Sequence, residues 1–217
     1  MNPGGSVKDR VAKQMIVEAE EQGLLRGGST VYEGTAGSTG ISLALAANAR
    51  GYRCHIFMPD DQAKEKSDLL ERLGAHVDRV RPVSFSNPQQ FCNQARRSAA
   101  EDPHGGLFAN QFENLANYRA HYLHTGPEIW EQTEGRLDAF VCAAGTGGTI
   151  AGISTFLKER DPKIKVYLID PPGSALFNKV NTGVLFAHED REGKRKKVFY
   201  PRGQGAGGER KPPCEGH

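Results

Sequence analysis

Ala139-Phe140-Val141-Cys142-Ala143-Ala144-Gly145-Thr146-Gly147-Gly148-Thr149 is a short apolar run that breaks into a glycine-rich turn. It predicts a strand over Ala139 to Ala143, a loop, and a helix from Thr149 to about Lys158. Glycines let the backbone approach a ligand closely, so successive N–H groups can face one anion. The threonine hydroxyls add donors, and the following helix adds its dipole. Ile150 stands where a G-x-G-x-x-G dinucleotide loop needs its third glycine, and no G-K-[ST] follows, so neither nucleotide motif fits.

The same construction occurs upstream. Thr30-Val31-Tyr32-Glu33 reads as a strand, Gly34-Thr35-Ala36-Gly37-Ser38-Thr39-Gly40 as a glycine turn, and Ile41 to Arg50 as a small-residue helix stopped by Gly51. Further strands are predicted at Arg53 to Met58, Ala75 to Val80, Leu107 to Asn110 and Lys165 to Ile169. Helices are predicted from Asp60 or Asp61 as cap to Leu73, over Gln89 to Ala100, and around Glu128 to Gln132. Strand and helix alternate throughout, which predicts an α/β fold of parallel sheets with flanking helices. In such folds ligands lie at the carboxyl ends of strands, beside helix N-termini, where both glycine loops fall.

At the chain's start, Asn2-Pro3-Gly4-Gly5 reads as a turn, and Ser6 as the N-cap of a helix running to about Leu25 and closed by Gly27-Gly28. Lys8 then sits in the first helical turn. There the macrodipole and any desolvation both disfavour its charge and favour a neutral, imine-forming amine. Two polar glycine loops and such a lysine together suit a phosphorylated aldehyde cofactor, with a carboxylate-bearing substrate on the hydroxyl-rich first loop.

Bulk properties exclude several other classes. The chain has 217 residues, a net charge of +2 and four dispersed cysteines without a C-x-x-C pair. Nucleic-acid binding and a membrane span are therefore not expected, and reduced thiols in an intracellular protein are. His121 and His124, three apart on a predicted helix, read as a solvated face, so no metal site is assigned. Cys142 reads as a core thiol in a buried strand. Arg191 and Lys194 to Lys197 read as a solvated charged turn, and Gly203 to His217 as part of a disordered tail.

Asn2 to Arg10, N-P-G-G-S-V-K-D-R, resembles the cofactor-lysine motif of the cysteine synthase and cystathionine β-synthase family of tryptophan synthase β-like pyridoxal-phosphate enzymes. Glu33 to Ile41 is similar to its E-P-T-S-G-N-T-G-I substrate loop, and Gly145 to Thr149 to its phosphate loop. Gln111-Phe112-Glu113-Asn114 and Thr125-Gly126-Pro127-Glu128-Ile129-Trp130 resemble its Q-F-x-N…T-G-P-E-I-W stretch. The motifs keep the family's order from Asn2 to about Gly173, and the sequence between them is similar to fungal cysteine synthase-like proteins.

The resemblance implies pyridoxal-phosphate fold type II. It divides the chain into a small domain over residues 2–110, a partial large domain over 111–197, and a tail over 198–217. It implies that Lys8 carries pyridoxal 5'-phosphate and moves a proton at the substrate α-carbon. Gly145, Thr146, Gly147, Gly148 and Thr149 would hold the phosphate, and Thr35, Ala36, Gly37, Thr39 and Gln111 the amino-acid carboxylate. Ser38 stands for the family's asparagine at the cofactor ring, and Gly34 replaces a proline, which is expected to loosen the loop.

The implied reaction is β-replacement, forming cysteine from an O-acetylserine-like substrate and sulfide. The alternatives are serine/threonine dehydration or another β-elimination, and a catalytically impaired fragment that only binds a partner. A homodimer is implied, with a cytoplasmic location by default and a mitochondrial one if a leader precedes Met1. Family members extend beyond both ends of this chain. A large sheet with open edges, and weak activity of the shortened chain alone, are therefore expected.

Overall fold

Helix α1, Lys8–Glu21, buries Val11, Ala12, Met15, Ile16 and Ala19 on one face. The computed structural model describes residues 2–171 and 173–186, and α1 differs from its predicted extent at both ends. Val7, already helical in its dihedrals, occupies the N-cap position in place of Ser6, whose Oγ instead accepts the Lys8 N–H at 3.2 Å. Gly23, at φ +69°, closes the helix ahead of Gly27-Gly28. The Leu24 N–H returns to the Ala19 carbonyl and the Gly23 N–H to that of Glu20, a Schellman closure.

Four parallel strands form the first sheet in the order β3-β2-β1-β4: β1 Thr30–Gly34, β2 Arg53–Pro59, β3 His76–Val80 and β4 Gly106–Phe108. Alternate residues go to opposite faces. Val31, Cys54, Ile56 and Met58 join a core built with α1, α2 (Ser38–Ala49) and Leu70 of α3 (Lys64–Arg72). Tyr32 and Phe57 pack the other way, onto Ala95 and Ala99 of α4, Phe91–Glu101. Strand β1 is buried along its whole length, as a central strand covered on both faces must be. Ala63, not Asp60 or Asp61, precedes α3 at its cap, and Gln90 caps α4 by accepting the Cys92 and Asn93 N–H groups.

The chain then runs without a break through α5 (Ala116–Ala120), a π-helical turn (His121–Thr125) and α6 (Gly126–Gln132), a longer helical stretch than predicted. Ala116 and Ala120 belong to the first core. A second core of Ile153, Phe156, Leu157 and Ile164 gathers Tyr122, Ile129, Trp130 and Phe140. It sits between α6, α7 (Gly148–Arg160) and the parallel pair β5 (Ala139–Ala143) and β6 (Lys165–Ile169). The other face of this pair leaves Val141, Tyr167 and Ile169 half exposed, and Cys142 is only partly buried rather than a core thiol.

Helix α8 spans Leu176–Thr182. The charged turn at Arg191 to Lys197 and the predicted tail from 198 lie outside the described residues. Among the described residues, no helix is long and apolar enough to cross a membrane.

Candidate active site

Lys8 reaches out of the first turn of α1 to the second glycine loop, where its Nζ donates to Thr146 Oγ1 at 3.0 Å. The turn before it is fixed by Asp9, which accepts the Gly4 N–H on Oδ2 and the Ser42 hydroxyl on Oδ1, both at 2.6 Å. These bonds tie the chain's start to α2. Burial lowers the Lys8 pKa to about 8, against a smaller opposing pull from Glu33. Glu33 is itself fully buried in β1. Burial pushes its carboxyl up to about 8, while hydrogen bonds from Gln111 and Asn110 and the charge of Lys8 pull it back.

The loop between β5 and α7 brings Gly145, Thr146, Gly147, Gly148 and Thr149 together at a helix N-terminus. Gly147 caps α7 at φ +89°, a left-handed conformation that favours glycine. A Cβ on Gly148 would lie 2.2 Å from Asn117 Oδ1, so only glycine lets α5 approach this loop. Asn117, fully buried, donates through Nδ2 to Thr146 Oγ1 at 2.8 Å and to the Gln111 carbonyl at 2.9 Å. Its Oδ1 is buried without a partner.

His121 lies beside the same loop, with Nε2 at 3.2 Å from Thr149 Oγ1 and Nδ1 at 3.0 Å from Thr125 Oγ1. It is fully buried, in contrast to the solvated face predicted for it, while His124 is exposed. Burial, then the charges of Lys8 and Arg10, push its imidazole down to about 4, so at neutral pH one ring nitrogen donates and the other accepts. The π-helical turn carries the ring there, and Gly152 makes room. A Cβ on Gly152 would meet the Tyr118 carbonyl at 2.5 Å and His121 Cβ at 2.8 Å.

The first glycine loop lies at the end of β1. Thr35 and Thr39 are buried, Ala36 and Ser38 partly so, and Gly37 is exposed as the N-cap of α2. Thr35 Oγ1 accepts the Gly37 N–H at 3.1 Å. Thr39 donates its hydroxyl to Gln111 Oε1 at 2.6 Å, and Gln111 Nε2 donates to Glu33 Oε1 at 3.4 Å. This chain fixes the amide orientation of Gln111.

Gly34 does not loosen the loop as expected from the missing proline. A Cβ there would lie 2.6 Å from Cys92 Cα, so the glycine lets the start of α4 pack directly on β1. Sequence reasoning missed Asn117 and His121, since nothing local distinguishes them from surface polar residues. Glu33 was visible only as part of the motif.

Residues 1–200 match a family described as "Pyridoxal-phosphate dependent enzyme". The chain is 57% identical over 205 residues to cysteine synthase 2 of Schizosaccharomyces pombe, covering 91% of this chain and 52% of that protein. It thus spans about half the length of the curated relatives it matches. Among solved structures, O-ureido-L-serine synthase is similar at TM-score 0.76 and 36% identity, covering 82% of this chain and 55% of that one. A hydrogen sulfide-producing enzyme from Fusobacterium nucleatum is similar at TM-score 0.75 and 33% identity, covering 86% and 59%.

Proposed function

The chain belongs to the family of pyridoxal-phosphate dependent enzymes, and from that premise we propose that its activity is β-replacement on an activated serine. The sulfur of sulfide bonds to the β-carbon, and the β-substituent, acetate for O-acetylserine, leaves with its electron pair. The products are cysteine and acetate. The contact of Lys8 Nζ with Thr146 Oγ1 carries this reading, because it joins the amine to the anion-binding loop in one site.

The donor set fits the cofactor. Around the loop stand an amine, two threonine hydroxyls and backbone amides at the N-terminus of a 13-residue helix. A Cβ on Gly145 would meet no atom within 4 Å, so the space beside the loop is open. Lys8 would hold the aldehyde carbon, and Gly145 to Thr149 the phosphate. When bound, pyridoxal phosphate supplies an electron sink for charge developing at the substrate α-carbon.

The protein's own groups do the rest. Lys8 Nζ, its pKa lowered by burial, is suited to take and return the α-proton near neutral pH. The loop from Thr35 to Thr39 offers backbone N–H groups and the Ser38 hydroxyl, which has no hydrogen-bond partner among the described residues. Gln111, fixed between Thr39 and Glu33, completes the proposed carboxylate cradle.

β-Elimination is the second reading, favoured by Ser38 standing where family members carry asparagine. Product analysis separates the two. Cysteine formed from O-acetylserine only when sulfide is added supports β-replacement; pyruvate and ammonia at equal rates with and without sulfide overturn it. Borohydride reduction followed by peptide mapping should place the cofactor on Lys8. The buried thiols of Cys54 and Cys92 support a reducing, intracellular location, and family resemblance supports a homodimer.

A further inference from the structure

His55, His76 and Asp78 meet on the α4 side of the first sheet, at its β3 edge. His55 on β2 and His76 on β3 are register partners in the parallel ladder, and Asp78 follows His76 by two positions. With a side-chain period of two, all three stand on one face. His55 Nε2 lies 2.9 Å from Asp78 Oδ2, and His76 Nε2 lies 3.5 Å from Asp78 Oδ1. One ligand atom from each residue can be chosen so that all three fall within 4.8 Å of one another.

The cluster is held from below and open above. The His55 ring stacks on Phe57, with centroids 4.6 Å apart and planes at 15°, and lies 5.2 Å from the Tyr32 ring. The His76 ring meets it edge-on at 4.4 Å. Side-chain exposure rises from 19% at His55 through 44% at Asp78 to 68% at His76. Two imidazole nitrogens and a carboxylate oxygen thus converge from a rigid aromatic floor toward solvent.

We propose that His55, His76 and Asp78 form a binding site for a divalent transition-metal cation of the zinc class, which ties edge strand β3 to β2. The nitrogen-rich donor set suits Zn²⁺, Co²⁺ or Ni²⁺ rather than Mg²⁺ or Ca²⁺, which take oxygen. Zinc–ligand bonds of about 2.0–2.2 Å in a tetrahedron separate neighbouring donors by roughly 3.3 Å. His55 Nε2 lies 2.9 Å from one carboxylate oxygen of Asp78 and His76 Nε2 lies 3.5 Å from the other. One donor from each residue falls within 4.8 Å of the rest, so small side-chain rotations bring three donors to that spacing. Water completes the coordination on the exposed side. His55 is the third residue of β2, whereas the candidate active site lies at the strands' carboxyl ends, so the cation takes no part in the reaction.

The test is calorimetric titration of the full chain with Zn²⁺, thiols reduced and free amino acids removed, beside His76→Ala and Asp78→Ala. Both side chains are well exposed, so the variants keep the core. The expected result is one equivalent bound by the unaltered chain, with affinity falling roughly tenfold or more in each variant. Zn²⁺ should raise Tm in the unaltered chain and in neither variant. No binding at micromolar Zn²⁺, binding in both variants as tight as in the unaltered chain, or a loss in only one of them overturns the three-ligand site.

Discussion

Lys8 Nζ and Thr146 Oγ1, 138 positions apart in sequence, lie 3.0 Å apart. Asn117 Nδ2 reaches the same oxygen at 2.8 Å. Thr146 therefore accepts from two donors and keeps its own O–H for a third group, which in the proposed holoenzyme is a phosphate oxygen. Three elements, α1, α5 and the loop before α7, are pinned at one atom.

Thr146→Val keeps the shape and removes that atom. The buried Asn117 Nδ2 then retains only the Gln111 carbonyl. Stability should fall by about 1–2 kcal/mol, read from chemical denaturation. Pyridoxal-phosphate affinity should fall by roughly tenfold, read from cofactor absorbance; unchanged affinity would remove Thr146 from the phosphate site.

Lys8→Met separates chemistry from folding. The proposed turnover should drop by about 10²–10⁴-fold, the contribution of a positioned acid–base group. Stability should also respond to pH through this group. The Lys8 pKa is lowered from 10.5 to about 8, so between those values the unfolded chain binds more protons and stability rises with pH. The methionine variant should lose that rise, as denaturation at pH 8 and pH 10 would reveal.

Glu33→Gln tests the buried carboxyl. Its pKa is raised from 4.5 to about 8, so the folded chain holds more protons across that window and stability falls as pH rises through it. The glutamine variant should flatten this fall and gain stability relative to the parent at pH 8. Equal pH slopes for the two proteins would show that Glu33 ionises as readily folded as unfolded.

His121 has the reverse profile to Glu33. With its pKa lowered from 6.5 to about 4, the unfolded chain binds the extra proton between those values and stability falls as pH drops. A loss on the order of 1–3 kcal/mol between pH 7 and pH 4 should be attributable to this group. His121→Asn should abolish that share and also weaken cofactor binding, through loss of the Thr149 contact.

Gly34→Ala should destabilise the chain by about 1–3 kcal/mol, because the new methyl would meet the Cys92 backbone, which cannot rotate away. The melting temperature measures it directly. An unchanged Tm would mean that α4 can shift outward at little cost.

The alternation of strands and helices was legible because it is written locally. Ala139 to Ala143 and Lys165 to Ile169 are short apolar runs, and Gly51 and Gly74 take positive φ just past their helices. Helix ends were less legible. Ser6 looks like a cap, yet Val7 is already helical, and the choice depends on Asp9 bridging Gly4 and Ser42 from another element. The π-helical turn at His121–Thr125 left no periodic mark, since one widened turn barely perturbs the apolar pattern.

The sequence by itself determined the α/β class, both glycine loops and the lysine at the helix start, because backbone freedom and apolar periodicity are properties of neighbouring residues. Only the tertiary structure decided which distant polar groups share a site. His121 read as a solvated surface residue and Asn117 carried no motif of its own, until burial beside Thr149 and Thr146 committed their hydrogen bonds. His55, His76 and Asp78 became one cluster only through the parallel register of β2 and β3. That register is set by packing both faces of the sheet at once, a constraint that acts across the whole core and leaves no mark in any short stretch of the chain.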